Sequence, residues 1–232
     1  MFKELFEEET VINETFDVSD IIDELLEKLG KISPQARDDV LYALLYGFSK
    51  HNPARPPLAA IRRFAQKMLR AEPAERIHTD RLDPDTEQVQ TAAWKVIREF
   101  DRLRGLLRFV PEHEQGTPQN DPDPCYTARC TPDHFVLPLL ADHFLQRFGK
   151  TSWAIIDEKR NLALWSKKGK APSLCRIDPE EWKSGTIQNA ADEWENLWKN
   201  YHHSINNEDR ANPHLQKQFM PRRYWKYLPE VK

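Results

Sequence analysis

Three short stretches decide how this chain folds: CYTARC (125–130), SWAIID (152–157) and LALWSK (162–167). Each is a short run carrying β-branched, aromatic or cysteine residues and bounded by turn chemistry, the signature of a strand. In the first, Tyr126, Ala128 and Cys130 alternate with Cys125, Thr127 and Arg129, so the two sets face opposite sides. The second and third flank EKRN (158–161), a spacing that predicts a hairpin. LLRFVP (106–111) reads as one more strand, separated from CYTARC by the loop EHEQGTPQNDPDP (112–124), rich in turn formers. Between CYTARC and SWAIID lies DHFVLPLLADHFLQRFG (133–149). Its spacing predicts a helix capped by Thr131 or Asp133, with Pro138 either kinking it or marking a break. The order strand, strand, helix, strand, strand predicts a small antiparallel sheet with a helix on one face.

Upstream, the texture is helical. FDVSDIIDELLEKLG (16–30) offers Ser19 as an N-cap and Gly30 as a stop, and SPQARDDVLYALLYGFSK (33–50) offers Ser33 as cap with Pro34 at the first helical position. HNPARPP (51–57) breaks the chain before PLAAIRRFAQKMLR (57–70) resumes a helix. A long helix follows over TEQVQTAAWKVIREFDRLR (86–104), with Val89, Ala93, Val96, Ile97 and Phe100 as its stripe. Downstream, NAADEWENLWKNYHHS (189–204) repeats Trp194, Leu197, Trp198 and Tyr201 at helical spacing. The fold class is therefore α+β, with a helical N-terminal half and a helical C-terminal segment. Gly105 marks the change of texture. It divides a helical region, 1–104, from an α+β region, 105–232, the two forming either separate domains or one integrated domain.

Composition narrows the function classes. The chain has 232 residues, 39% hydrophobic and 31% charged, enough to build a core and mixed enough in sign to argue against disorder. No apolar run approaches the roughly 20 residues of a membrane span. The acidic start MFKELFEEETV lacks the layout of a signal peptide. A cytoplasmic, membrane-free protein is expected. The three cysteines show no zinc spacing, and neither a metal nor a cofactor is expected. Net charge is −3, but residues 1–30 hold ten acids against Lys3 and Lys28, while 199–232 is dominated by lysine and arginine. Such asymmetry suggests an anionic partner, or a head and tail that attract each other.

Catalytic constellations are thin. His134 and His143 are nine residues apart, about 180° around one helix, which does not suit a shared metal unless Pro138 interrupts it. His134 and, in YHHS, His202 are the candidates for acid–base work. Seven unclustered glycines make no phosphate loop. The strongest chemistry is in FMPRRYWKYLPE (219–230). Arginine and lysine hold phosphates and aromatic faces stack bases. Helical winding would bring Arg222, Trp225 and Lys226 together, with Arg223 and Tyr227 alongside. The competing reading is an aromatic anchor that pins this segment to the core.

Four blocks carry a family resemblance: EFDRLRGLLRF (99–109), PDHFVLPLLADHFLQRF (132–148), WAIIDEKRNLALW (153–165) and LWKNYHHSINNEDRANPHLQKQFMPRRYWKYLPE (197–230). In this order they resemble the bacterial "probable DNA metabolism protein" family. That family occurs alone or fused to a uracil-DNA-glycosylase-like domain, and is encoded beside a radical-SAM protein implicated in DNA modification or repair. The resemblance implies a DNA metabolism accessory protein that binds nucleic acid and acts with that radical-SAM partner. Matching positions suited to DNA are Arg104, Arg108, Arg210, Asn212, Gln218, Arg222, Arg223, Tyr224 and Trp225, to which Lys226 is added from its place in the tail. Members usually carry a histidine where this chain has Asp101. No CxxxCxxC triplet is present, so the chain holds no conventional radical-SAM cluster site of its own. The alternatives are a metal-independent enzyme on damaged or modified DNA, glycosylase-like or nuclease-like, and an interaction module with a purely structural tail.

Overall fold

The computed structural model describes residues 12–47, 55–71, 73–112, 125–178, 188–205, 207 and 212–231. The chain is mixed α+β and falls into two compact units, one comprising Met1–Glu99 with Asp133–Val136 and the other Phe100–Pro132 with Leu137–Lys232. Among the described residues, no helix is long and apolar enough to cross a membrane.

The first unit is built from α1 (Ile12–Ile32), α2 (Pro34–Leu45), α3 (Leu58–Arg70), α4 (Glu75–Thr79) and the first turns of α5 (Pro84–Leu106). Ser33 caps α2 by accepting the Ala36 N–H at 3.3 Å, and Pro34 opens the helix, as its missing donor allows. Two expectations about α1 fail. It starts at Ile12, well before Ser19, and runs through Gly30 to Ile32. Gly30 serves packing instead: a Cβ there would meet the Arg37 side chain at 3.2 Å, so its bare backbone lets Arg37 lie against α1. Leu29, Val40, Ala43, Phe64, Met68 and Val89 form the buried core of this unit. The last residues of the SPQARDDVLYALLYGFSK stretch, 48–50, lie outside the described residues.

The start of α5 is fixed electrostatically. The Asp83 carboxylate accepts the Asp85 and Thr86 N–H groups at 3.0 Å each, filling orphan donors of the first turn. Arg63 and Lys67, one helical turn apart on α3, reach Asp85 at 2.7 and 2.9 Å, and Lys67 also bonds Asp83. Hydrogen bonds from Arg63 and then Lys67 hold the Asp85 carboxyl down at about 2.

The second unit carries one five-stranded sheet in the order β1-β2-β3-β4-β5: Val110–Glu112, Cys125–Cys130, Trp153–Asp157, Leu162–Ser166 and Ser173–Arg176. The EKRN hairpin forms as expected, pairing Trp153 with Ser166 and Asp157 with Leu162. Three of the four pairings are antiparallel, but β2 and β3 run parallel, with Tyr126 opposite Trp153. The reason is the intervening α6 (Leu137–Phe148), a crossover that returns the chain to the end where β2 began. Pro138 is the second residue of α6, so it marks the start of the helix rather than a kink, and neither Thr131 nor Asp133 is its cap. The edge strand β5 carries no strand signature in its sequence: its residues are mostly exposed and lack alternation.

Helix α6 packs on the sheet through an aromatic cluster. Trp153 is fully buried, and the Phe144 and Phe148 rings lie 6.1 and 6.2 Å from it. Phe109 meets Phe144 and Phe148 at 5.0 and 4.7 Å. At the hairpin the fully buried Asp157 receives Arg160 at 2.6 Å, while the Lys159 and Arg160 N–H groups bond its other oxygen at 2.9 and 3.3 Å. Burial pushes the Asp157 carboxyl above its usual range, against the pull of Arg160. Helices α7 (Gln188–Ile205) and α8 (Pro213–Phe219) precede two short 3-10 turns, Arg222–Tyr227 and Pro229–Val231.

Candidate nucleic-acid interface

The basic-aromatic tail winds as a 3-10 helix, in which side chains three apart eclipse. Arg222 is therefore aligned with Trp225, its guanidinium 5.7 Å from the indole, and Tyr224 shares a face with Tyr227. That second face is the inward one. Tyr224 is 2% exposed and Leu228 is fully buried, while the Tyr227 hydroxyl donates to Glu158 at 2.6 Å. Burial first, and then the bond to Glu158, raise the Tyr227 phenol above its ordinary range. Trp225 is half-buried, and its indole N–H donates to the Met220 carbonyl at 2.8 Å.

These contacts revise the expected roles residue by residue. Tyr224 has no face left for a base; its ring is core. Lys226 leaves the cluster with Arg222 and pairs with Glu158 at 2.9 Å. Arg223 lies over the Tyr224 ring at 4.7 Å. Arg108 turns inward as well, bonding Glu230 at 2.5 Å and lying over Trp198 at 5.3 Å, and Trp198 donates to the same carboxylate at 2.9 Å. Burial opposes ionisation of Glu230, but the bond and charge of Arg108 outweigh it and hold the carboxyl below its usual range. Asn212 caps α8 by accepting the Leu215 N–H at 3.0 Å. The Gln218 side chain is exposed, and the Gln218 backbone carbonyl accepts from the Arg102 guanidinium at 3.1 Å. Arg210 and the side chain of His202 lie outside the described residues.

Cations remain in solvent at other positions. Arg104 is exposed beside Phe100, 3.6 Å from Asp101. Arg147, Lys217 and Arg222 are exposed and make no ion pair among the described residues. Arg104 and Arg147 both act on His143, whose Nε2 is buried with no hydrogen-bond partner among the described residues. Burial first, then the two guanidinium charges, lower the His143 pKa, so the ring is held neutral beside two positive groups. The 143/147 spacing on α6 was visible in the sequence as one face of a helix. Its meeting with Arg104 was not, because it depends on how α5 and α6 pack.

His134, the candidate acid–base residue, belongs to the first unit. Its Nδ1 accepts the Gly47 N–H at 3.0 Å and its ring stacks on Tyr46 at 4.7 Å. The buried carboxylate of Glu99 receives the peptide N–H groups of Asp133 and His134 at 3.0 and 2.6 Å. Nδ1 is thus committed to an amide, which leaves any acid–base work at this ring to Nε2. Among the described residues, no group of three or more His, Cys, Asp or Glu side chains is arranged to hold a metal.

Residues 58–230 match the model of a family described as a domain of unknown function, DUF4130. The chain belongs to the DUF4130 family. The match covers about three quarters of the chain. It takes in all four blocks quoted above, and it reaches back to the start of α3, in a stretch that reads from sequence as merely helical. No curated protein matches the chain, and no solved structure does. Within this DUF4130 chain the tail turn at Arg222–Tyr227 lies inside the matched region, while α1 and α2 precede it.

Proposed function

We propose that this DUF4130 chain is a DNA metabolism accessory protein that binds nucleic-acid phosphates through exposed cations of its second unit and works with a radical-SAM modification or repair enzyme. The observation that carries the reading is the exposure of Arg104, Arg147 and Arg222 in the second unit, the last two making no ion pair among the described residues. Arg104 is met by the exposed Asp101 at 3.6 Å, while Arg147 makes no ion pair among the described residues, and a phosphate would supply further negative charge. Arg222, exposed on a turn anchored by the buried Tyr224, offers the same chemistry. The aromatic tail thus acts as a rigid mount rather than a stacking platform.

The test is fluorescence anisotropy of labelled single- and double-stranded DNA across a salt series. Binding should weaken with salt, and the combined Arg104→Ala, Arg147→Ala and Arg222→Ala variant should flatten the log–log slope by ~0.9 for each duplex phosphate it no longer neutralises. Stability should change by only ~0.5 kcal/mol for each of these surface positions. No binding at low salt, or a slope unchanged by the three substitutions, overturns the reading.

A second reading, docking of a protein partner, is favoured by α7. Leu197, Tyr201 and Ile205, spaced by four on one helical face, are 60%, 54% and 61% exposed, more apolar surface than a solvated helix usually shows. A Leu197→Glu/Ile205→Glu variant that loses a co-purifying partner yet keeps its DNA isotherm would assign this face to protein contact.

A further inference from the structure

Glu99 raises a question that the proposed DNA surface does not answer. It is 1% exposed, and burying a carboxylate is costly unless hydrogen bonds or a counter-charge compensate it. Its two oxygens are spent on the amides of Asp133 and His134. Those bonds fix His134, His134 Nδ1 in turn receives Gly47, and the imidazole lies flat behind Tyr46 with 26° between the rings. The product of this chain of contacts is a Tyr46 ring held rigidly at the end of α2.

Tyr46 is one wall of a cleft of about 440 Å3. The cleft is lined as well by the solvent face of α5, where Glu87, Gln88, Thr91 and Lys95 recur at helical spacing, and by Arg55. This face lies opposite Val89, Ala93 and Val96, which are buried. The Lys95 ammonium stands over the Tyr46 ring, 5.5 Å from its centroid. Two cations, one carboxylate, an amide, a hydroxyl and a fixed aromatic ring therefore converge in a space of ligand size. An anionic group drawn to Lys95 and Arg55 is placed next to the ring, and Gln88, Thr91 and Glu87 can read donors and acceptors on the rest of the molecule.

We propose that this cleft binds a nucleoside 5′-monophosphate, its phosphate on Arg55 and Lys95 and its base along the polar face of α5, beside the edge of Tyr46. The site belongs wholly to the first unit and stands whether or not the second unit binds DNA. Glu99 and His134 are positioning residues for it. Two sources share this chemistry, a free nucleotide and the 5′-phosphorylated end of a strand.

Isothermal titration of the full chain with the four deoxynucleoside monophosphates, the corresponding nucleosides and inorganic phosphate tests the site. At least one monophosphate should bind ~10-fold or more tightly than its nucleoside and than phosphate, as a charge-assisted contact added to a base contact predicts. Arg55→Ala and Lys95→Ala should each weaken it ~10-fold, Lys95→Arg should retain binding, and none should move Tm, since both side chains are exposed. Displacement of the bound monophosphate by a 5′-phosphorylated oligonucleotide, but not by its 5′-hydroxyl form, assigns the strand end. Failure of both to displace it assigns the free nucleotide. Equal binding of phosphate and monophosphate, no binding of any monophosphate, or isotherms indifferent to Lys95→Ala overturn the proposal, whatever the DNA anisotropy shows.

Discussion

Replacing Arg160 by leucine isolates what the hairpin costs the fold. Asp157 is fully buried and the Arg160 side chain is 5% exposed, so Arg160→Leu strands a carboxylate away from water. Deleting one member of a buried pair costs ~3–5 kcal/mol. The Lys159 and Arg160 peptide N–H groups still reach Asp157 Oδ1, which puts the expectation at the lower end, ~3 kcal/mol. The loss should also depend on pH with a defined sign. Burial already raises the Asp157 carboxyl above its ordinary 3.8, and removing Arg160 raises it further. A group whose folded pKa is raised contributes fully when protonated and loses that contribution as pH climbs through the folded value. The variant should therefore recover part of its deficit, relative to the parent, as pH falls from 7 towards 4. Adding Asp157→Asn should restore much of the loss at neutral pH by removing the stranded charge. Urea unfolding followed by circular dichroism at several pH values measures all three. A deficit below ~1 kcal/mol, the value of an exposed pair, or one independent of pH, would refute the picture of a desolvated ion pair.

Other perturbations follow from the same geometry. Asp85, held at about 2 by Arg63 and Lys67, stabilises the first unit above its unfolded pKa, and acid titration should remove that stabilisation as pH falls from about 4 to about 2. The contribution is ~1–2 kcal/mol once the solvent around Arg63, whose side chain is 55% exposed, is allowed for, and Asp85→Asn should flatten that limb of the pH–stability curve. Glu230→Ala removes the shared acceptor of Arg108 and Trp198; a loss of ~2–4 kcal/mol in urea is expected, with a change in tryptophan emission. Gly169 adopts φ +74, and a Cβ there would approach the Gly149 carbonyl to 2.9 Å. Gly169→Ala should thus lower Tm by several degrees, ~1–3 kcal/mol.

What could be seen in advance was local. The Ser33–Pro34 start of α2, the EKRN hairpin and the stripe of α5 all follow from capping, turn length and periodicity. The parallel pairing of β2 with β3 escaped because strand composition is indifferent to direction; only the placement of α6 decides it. Strand β5 escaped because an exposed edge needs no apolar alternation. In the tail, arginine and aromatic spacing alone left two readings open. Packing, which spacing does not show, sends Tyr224 inward, leaves Arg222 outside and turns Arg108, just past α5, towards Glu230. The cleft at Tyr46 was invisible because its walls come from α2, the segment before α3 and α5, and its buried support from residues 133–136.

The inward course of the tail has a consequence for synthesis. Arg108 must wait for a carboxylate 122 positions further on, and Glu158 for partners 68 and 69 positions later. At a ribosome moving about 5–20 residues per second, Arg108 stays without its tail carboxylate for roughly ten seconds after β1 has emerged. A chain that stopped short of Tyr224 would leave Arg108 without Glu230 and Glu158 without Lys226 and Tyr227.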